Sequence, residues 1–171
     1  MNGYIHLYTG NGKGKTTAAF GMALRAIGAA KKVFIAQFVK GMPYSEIESV
    51  RKYLPDIKLK QFGLDCFIKN KPTEKDIEAA KKGLNEVAKI ITENEFEIVI
   101  LDEACIALYY NLFSIKEFID ILKQKPDTME IIITGRNAPQ ELIDFCDLVT
   151  DMKEIKHYYN QGVEARKGIE F

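Results

Sequence analysis

The chain has 171 residues, of which 47% are hydrophobic and 28% charged, a composition typical of a globular protein with a single domain over residues 1–171. Its 24 basic and 24 acidic residues cancel, which excludes the strong positive field that draws proteins to nucleic acid or an anionic membrane surface. No apolar stretch reaches the length that spans a bilayer, and the three scattered cysteines contain no C-x-x-C pair. These features predict a cytoplasmic protein with reduced thiols and with no nucleic-acid or membrane partner.

A glycine-rich loop lies between the apolar run of residues 4–8 and a helical pattern that begins at Thr17. Glycines let successive backbone N–H groups turn inward around an anion, and the helix N-terminus adds partial positive charge. Lys15 can reach the outer phosphates of a nucleotide, and Thr16 offers a hydroxyl oxygen to Mg²⁺. The sequence therefore predicts a site for a nucleoside triphosphate. The predicted binding residues are Gly10, Asn11, Gly12, Lys13, Gly14, Lys15, Thr16 and Thr17.

This loop departs from the common pattern G-x-x-x-x-G-K-[ST], because Thr9 stands where the first glycine is expected. Gly10 and Gly12 compensate, and Lys13 adds a second cation inside the loop. The alternative interpretation is a glycine-rich turn that only caps a helix, but the order strand, loop and helix favours a phosphate site. The departure indicates a subfamily rather than a general ATPase. Because the loop begins at residue 10, we expect no cleavable signal peptide before it.

Short apolar runs alternate with helical patterns along the rest of the chain. The runs at residues 33–39, 98–101 and 131–133 predict buried strands. Runs that are apolar on both faces are typical of a parallel sheet covered by helices. Residues 147–157 are polar enough to predict an edge strand.

Helix starts are predicted by two capping boxes, which open at Thr73 and Ser114. A further short helix is predicted over residues 138–145, with Pro139 in its first turn. The least regular stretch is residues 40–70. The alternation predicts an α/β fold, namely a three-layer P-loop NTPase-like (RecA-like) domain with a mostly parallel central sheet.

Ligands of such sheets bind at the carboxyl ends of the strands, and two predicted strands end in charged residues. Asp102 and Glu103 follow residues 98–101, where a carboxylate could hold Mg²⁺ beside the phosphate loop. The alternative is a solvated acidic turn that caps the following helix. Arg136 follows residues 131–133 and is placed to contact an anion.

Taken together, these segments resemble the P-loop ATP:corrinoid adenosyltransferases, which include cob(I)yrinic acid a,c-diamide and cob(I)alamin adenosyltransferases. The resemblance covers nearly the whole chain. It implies an enzyme that transfers the 5′-deoxyadenosyl group of ATP to the Co(I) centre of a corrinoid and releases triphosphate, in adenosylcobalamin biosynthesis or salvage. The residues that carry the resemblance are 9–19, 37–41, 99–103, 134–139, 141–144, 147–150, 155–157 and 168–171.

The resemblance also implies roles for individual residues. Lys15, Thr16 and Glu103 would act in catalysis, and Arg136 would join the phosphate loop in binding ATP. Thr16 would hold Mg²⁺ together with Asp102 or Glu103, and either carboxylate could be the one that touches the ion. The implied partners are ATP, a reduced corrinoid, a reduced flavoprotein as electron donor and a second copy of the chain in a homodimer.

The corrinoid side of the resemblance is less complete, because the chain contains no Trp. Many relatives carry a tryptophan-bearing segment that packs against the corrin, and the corresponding stretch here offers Phe67 as its aromatic residue. Met42 or Tyr44 stands where relatives often place another Trp. The alternative function is a small P-loop nucleoside kinase or NTPase, although three scattered cysteines cannot supply the four-Cys zinc site that such kinases often carry.

Overall fold

The computed structural model describes residues 2–64, 68 and 71–171. The described residues form six strands and six α-helices, with a short 3₁₀ turn at Tyr158–Gln161. Phe67 lies outside the described residues. The strands are β1 (Ile5–Thr9), β2 (Val33–Phe38), β3 (Ile57–Phe62), β4 (Ile98–Asp102), β5 (Glu130–Thr134) and β6 (Leu148–Asp151). The helices are α1 (Lys15–Gly28), α2 (Ser45–Tyr53), α3 (Glu74–Glu93), α4 (Ala104–Tyr109), α5 (Ile115–Leu122) and α6 (Gln140–Phe145).

The strands form one six-stranded sheet in the order β3-β2-β4-β5-β1-β6, and every pairing in it is parallel. The register places Leu7 opposite Ile133 and Gln37 opposite Asp102, so the carboxyl ends of the central strands lie level. β2 and β4 are buried along their whole length, as a sheet with helices on both faces requires. The predicted α/β fold is confirmed, and the sheet is wholly rather than mostly parallel.

Two hydrophobic clusters, one on each face of the sheet, form the core. On one face α1 presents small residues, Ala19, Ala23 and Ala26, which let the helix lie close against the strands. On the other face α3, α4 and α5 pack large side chains such as Phe118 and Leu122 against the sheet. The phosphate loop enters α1 directly, so this close packing fixes the position of the loop above the sheet.

Of the three helix starts that the sequence predicts after the phosphate loop, the structure confirms two. Thr73 and Ser114 are the N-caps of α3 and α5, and both capping boxes are formed. The third prediction, a helix over residues 138–145, began too early. α6 starts at Gln140, because Pro139 has an extended backbone with ψ of 150° and serves as the N-cap instead of lying in the first turn.

The stretch of residues 40–70, predicted to be the least regular, contains α2 and β3. β3 lies at the sheet edge and alternates apolar residues such as Ile57 and Leu59 with Lys58 and Lys60. Charged side chains on an edge strand protect it from pairing with other chains, and they also dilute the apolar signal. β6 forms the opposite edge, within the stretch where an edge strand was predicted. Among the described residues, no helix combines the length and the apolar character needed to cross a bilayer.

Candidate active site

The loops after β1, β2, β4 and β5 meet at the carboxyl edge of the sheet, around a cavity of about 620 Å³. This edge is where parallel α/β sheets bind ligands. Most of the predicted site residues line the cavity, whereas Gly10, Asn11 and Asp102 do not. The predicted residues that line it are Gly12, Lys13, Gly14, Lys15, Thr16, Thr17, Glu103 and Arg136.

The glycines of the phosphate loop are required by its shape. Gly10 and Gly14 have φ of 93° and 117°, a region that favours glycine. A Cβ on Gly12 would lie 2.4 Å from the carbonyl oxygen of Met152, because the loop packs against the chain that leaves β6. The Gly12 N–H donates to that same carbonyl at 2.6 Å. This N–H therefore does not turn inward, contrary to the expectation for the loop as a whole.

Lys15 lies folded over the loop and is 7% exposed. Its ammonium donates to the carbonyl oxygens of Gly10 and Gly12, both at 2.7 Å. Burial lowers the pKa of Lys15, and the neighbouring charge of Arg136 lowers it further, against the opposite effect of Glu103. Two cations that repel each other gain stability when an anion binds close to both. The geometry is that of an anion site at the N-terminus of α1.

Asp102 lies beneath Thr16 and is completely buried. Its Oδ1 accepts hydrogen bonds from the hydroxyls of Thr16 at 2.9 Å and Thr134 at 2.7 Å. Its Oδ2 accepts from Gln37 Nε2 at 3.0 Å and from Lys40 Nζ at 2.8 Å. Burial alone would raise the pKa of Asp102, but the charge of Lys40 and these hydrogen bonds hold the pKa below its usual range. Asp102 is therefore an ionised group with both oxygens already engaged.

Glu103 is the carboxylate that faces the cavity. Its backbone has φ of 59°, an uncommon conformation for this residue, and its N–H donates to the Thr134 hydroxyl oxygen at 3.0 Å. Burial raises the pKa of Glu103, and the adjacent negative charge of Asp102 raises it further. A nearby cation would relieve both effects. The position of the Glu103 side chain and its raised pKa both favour the binding of a positive group in the cavity.

The donors around the cavity fit Mg²⁺, which prefers oxygen ligands. Thr16 donates a hydrogen bond to Asp102 and accepts one from Lys40 Nζ, which leaves its hydroxyl oxygen one lone pair for an ion. Glu103 offers a carboxylate on the cavity side, whereas Asp102 is engaged by four protein donors. Thr16 and Glu103 are therefore the better direct ligands, and Asp102 is better suited to orient Thr16.

Lys40, two residues after the end of β2, belongs to the site although sequence reasoning did not select it as a site residue. It lines the cavity, its side chain is 12% exposed, and its Nζ lies 2.8 Å from Asp102 Oδ2 and 3.2 Å from Thr16 Oγ1. The available signal was a lysine that immediately follows a buried strand of a parallel sheet.

The segment 168–171 forms a second part of the cavity that sequence reasoning did not assign to the site. Lys13 Nζ donates to the Ile169 carbonyl at 2.6 Å and to Glu170 Oε1 at 3.2 Å. Ser45 Oγ, at the start of α2, donates to the Phe171 carbonyl at 2.9 Å. Lys13 is thus tied to this segment, in addition to being part of the phosphate loop.

Arg136, the remaining predicted residue in the described part of the chain, and the two histidines lie at the rim or away from the cavity. Arg136 is exposed at the rim, after Gly135, whose added Cβ would lie 2.7 Å from the Cys105 Cβ. His157 also lies at the rim, where its Nδ1 accepts from the backbone N–H of Tyr159. His6 is part of β1 and contacts Glu130 through Nε2 at 2.6 Å, which is a packing role.

Comparisons with known proteins point to one family. The family model for ATP:corrinoid adenosyltransferase BtuR/CobO/CobP matches residues 1–171. The chain is 36% identical to a corrinoid adenosyltransferase of Sinorhizobium sp over 99% of this chain and 80% of that protein. It is 32% identical to a corrinoid adenosyltransferase of Escherichia coli strain K12, over 99% of this chain and 86% of that protein. It is 33% identical to corrinoid adenosyltransferase CobA of Salmonella typhimurium, again over 99% of this chain and 86% of that protein.

Proposed function

Because the chain belongs to the ATP:corrinoid adenosyltransferase family, we propose that it transfers the 5′-deoxyadenosyl group of ATP to the Co(I) centre of a reduced corrinoid and releases triphosphate. The observation that carries the proposal is the convergence of four cations, Lys13, Lys15, Lys40 and Arg136, on one cavity at the N-terminus of α1. Such a cavity suits a leaving group that departs as a whole triphosphate. The reaction serves adenosylcobalamin biosynthesis or salvage.

The reaction requires no covalent bond between the protein and a substrate. Co(I) is a strong nucleophile and attacks C5′ of ATP; the C5′–O bond breaks, and its electron pair leaves with the triphosphate. The protein must hold C5′ in line with the attacking substrate and stabilise the negative charge that grows on the leaving group. Lys15, held by the carbonyls of Gly10 and Gly12, supplies a preorganised positive charge for that purpose. Arg136, which lines the same cavity, adds a second charge.

We assign Mg²⁺ to Thr16 and Glu103, with Asp102 behind them. When bound, the ion would neutralise part of the charge on the triphosphate oxygens. Asp102 accepts a hydrogen bond from the Thr16 hydroxyl and so orients the hydroxyl oxygen toward the cavity. The Thr134 hydroxyl joins Asp102 to the backbone N–H of Glu103 and thereby fixes the two acidic residues relative to each other.

The decisive experiment is incubation of the protein with ATP, Mg²⁺ and a chemically reduced corrinoid. The expected results are the spectrum of adenosylated cobalt and the appearance of inorganic triphosphate, with ATP consumed only when the reduced corrinoid is present. Stoichiometric ADP in the presence of a nucleoside acceptor, without triphosphate, would instead identify a nucleoside kinase.

Other parts of the proposal rest on family membership. We infer that the protein acts in the cytoplasm as one domain over residues 1–171, that a reduced flavoprotein supplies the electron that forms Co(I), and that two copies form a homodimer. Phe67 remains the proposed aromatic contact with the corrin, and Tyr44 lines the cavity near the start of α2. Light scattering of the purified protein tests the dimer, and adenosylation driven by a reduced flavoprotein tests the electron donor.

A further inference from the structure

We propose that Lys40 is an additional triphosphate-binding residue, a built-in positive charge that gives the site affinity for triphosphate even without a divalent ion. This inference rests on the proposed function, because it concerns the same leaving group. Its support, however, comes from the contacts of Lys40 itself and from the backbone that directs the side chain into the cavity.

The backbone before Lys40 is strained. Val39 has φ of 58°, which is rare for a β-branched residue. Two glycines surround this turn closely: a Cβ on Gly63 would lie 2.5 Å from Lys40 N, and one on Gly41 would lie 2.4 Å from the Leu64 carbonyl oxygen. A strained conformation persists only where its surroundings enforce it, and such positions concentrate at functional sites. Here the enforced turn at the end of β2 brings Lys40 over the site.

The side chain of Lys40 is held where a phosphate oxygen can reach it. Its ammonium has three N–H donors, and among the described residues Asp102 and Thr16 accept two of them, at 2.8 and 3.2 Å. Glu46 Oε1 is 4.0 Å away, beyond hydrogen-bond distance. The ammonium also lies 5.3 Å from the centroid of the Tyr44 ring, a cation–π contact. Because the described residues supply no third oxygen or nitrogen acceptor within hydrogen-bond distance, one N–H can still donate to a ligand in the cavity, which Lys40 lines beside Thr16.

A purely structural role would be to balance the buried charge of Asp102. Asp102 already receives hydrogen bonds from Thr16, Thr134 and Gln37, so its hydrogen-bonding needs do not call for a lysine. The contact of Lys40 with Thr16 and its exposure to the cavity are features that charge balance alone does not require. The two roles differ in one measurable respect, namely whether Lys40 contributes to the binding of an anion.

The test uses inorganic triphosphate as the ligand, titrated calorimetrically in EDTA and again in Mg²⁺. Lys40→Met should weaken binding in EDTA by about tenfold or more, the usual effect of losing a charge-assisted contact. The matched control is Lys60→Met, which also removes a lysine from an ion pair, with Glu86, but lies away from the cavity. It should bind as the wild type does. Unchanged affinity of a folded Lys40→Met protein would overturn the proposal.

Removal of Lys40 alone leaves Asp102 buried without its counter-charge, which can destabilise the fold. A second comparison avoids this problem: Asp102→Asn against the double variant Asp102→Asn with Lys40→Met. The double variant should again bind triphosphate about tenfold more weakly than the single one, and equal affinities would refute the inference. Lys15→Met separates the two proposals. If Lys15→Met binds triphosphate normally, the triphosphate does not bind at this loop and the proposed function loses its site. If Lys15→Met binds weakly and the Lys40 variants bind normally, only the role of Lys40 is refuted.

Discussion

Replacement of Lys15 by alanine tests the centre of the proposed mechanism. In the structure the ammonium donates two hydrogen bonds of 2.7 Å to the carbonyls of Gly10 and Gly12, and the side chain is 7% exposed. The substitution removes the charge, both hydrogen bonds and the proposed contact with the leaving triphosphate. The glycines of the loop and the packing of α1 remain, so we expect the fold to survive.

Two magnitudes follow from this geometry. The hydrogen bonds to the charged ammonium are worth about 2 kcal/mol in the free energy of unfolding, but burial of the charge beside Arg136 opposes them, so we expect a loss of at most about 2 kcal/mol. For a chain of this size that corresponds to a fall in Tm of at most about 4–8 °C. The adenosylation rate should fall by about a hundredfold or more, because one preorganised charge at a developing anion contributes roughly that much.

The assay is the rate of adenosylated cobalt formation from a pre-reduced Co(I) corrinoid at saturating ATP, measured well below the Tm of the variant. Lys31→Ala serves as the control, since Lys31 is exposed between α1 and β2 and does not line the cavity. A Lys15→Ala protein that adenosylates at the wild-type rate would refute the assignment of the triphosphate to this loop.

Three further predictions concern stability and the corrin face. Asp102→Asn should lower the free energy of unfolding at pH 7. Because the pKa of Asp102 is lower in the folded protein than the unfolded value of 3.8, the difference in stability from wild type should persist above pH 3.8 and shrink as the pH falls through the folded pKa. Denaturant titrations that show a constant difference down to acid pH would contradict this. Thr73→Ala removes the N-cap of α3 and should cost about 1 kcal/mol in chemical denaturation, whereas no change would mean that the capping box of Thr73 and Asp76 contributes nothing. Phe67→Ala should slow adenosylation from Co(II) more than from Co(I), with little change in Tm; equal losses from both states with a lower Tm would make Phe67 a packing residue.

The parts of the fold that sequence predicted well depend on local chemistry. Thr73 and Ser114 cap helices through residues three positions away. The glycines of the phosphate loop indicate the positive φ angles that the loop adopts. β2 and β4 are buried on both faces, so their apolar runs are continuous and easily recognised. These features need no knowledge of distant parts of the chain.

The parts that sequence missed depend on distant contacts or on uncommon backbone. Lys13 meets Glu170 across 157 residues, and no local pattern near either residue indicates that contact. Lys40 reaches the site because Val39 adopts a positive φ, which its residue type disfavours. The sequence likewise left open whether Asp102 or Glu103 is the carboxylate that contacts Mg²⁺. It depends on which oxygens other side chains already occupy, and that is decided by the packing of four different elements.

The strand order has a consequence for how the protein is made. β1, which carries the phosphate loop, lies between β5 and β6, both of which are synthesised more than a hundred residues later. β1 and its loop therefore leave the ribosome well before residues 130–151, which supply both of their strand partners. Residues 168–171, which form part of the cavity wall, are synthesised later still. During that interval, β2, β3 and β4 can already pair with one another. The nascent chain should gain the capacity to bind nucleotide abruptly, once residues 130–171 have been synthesised.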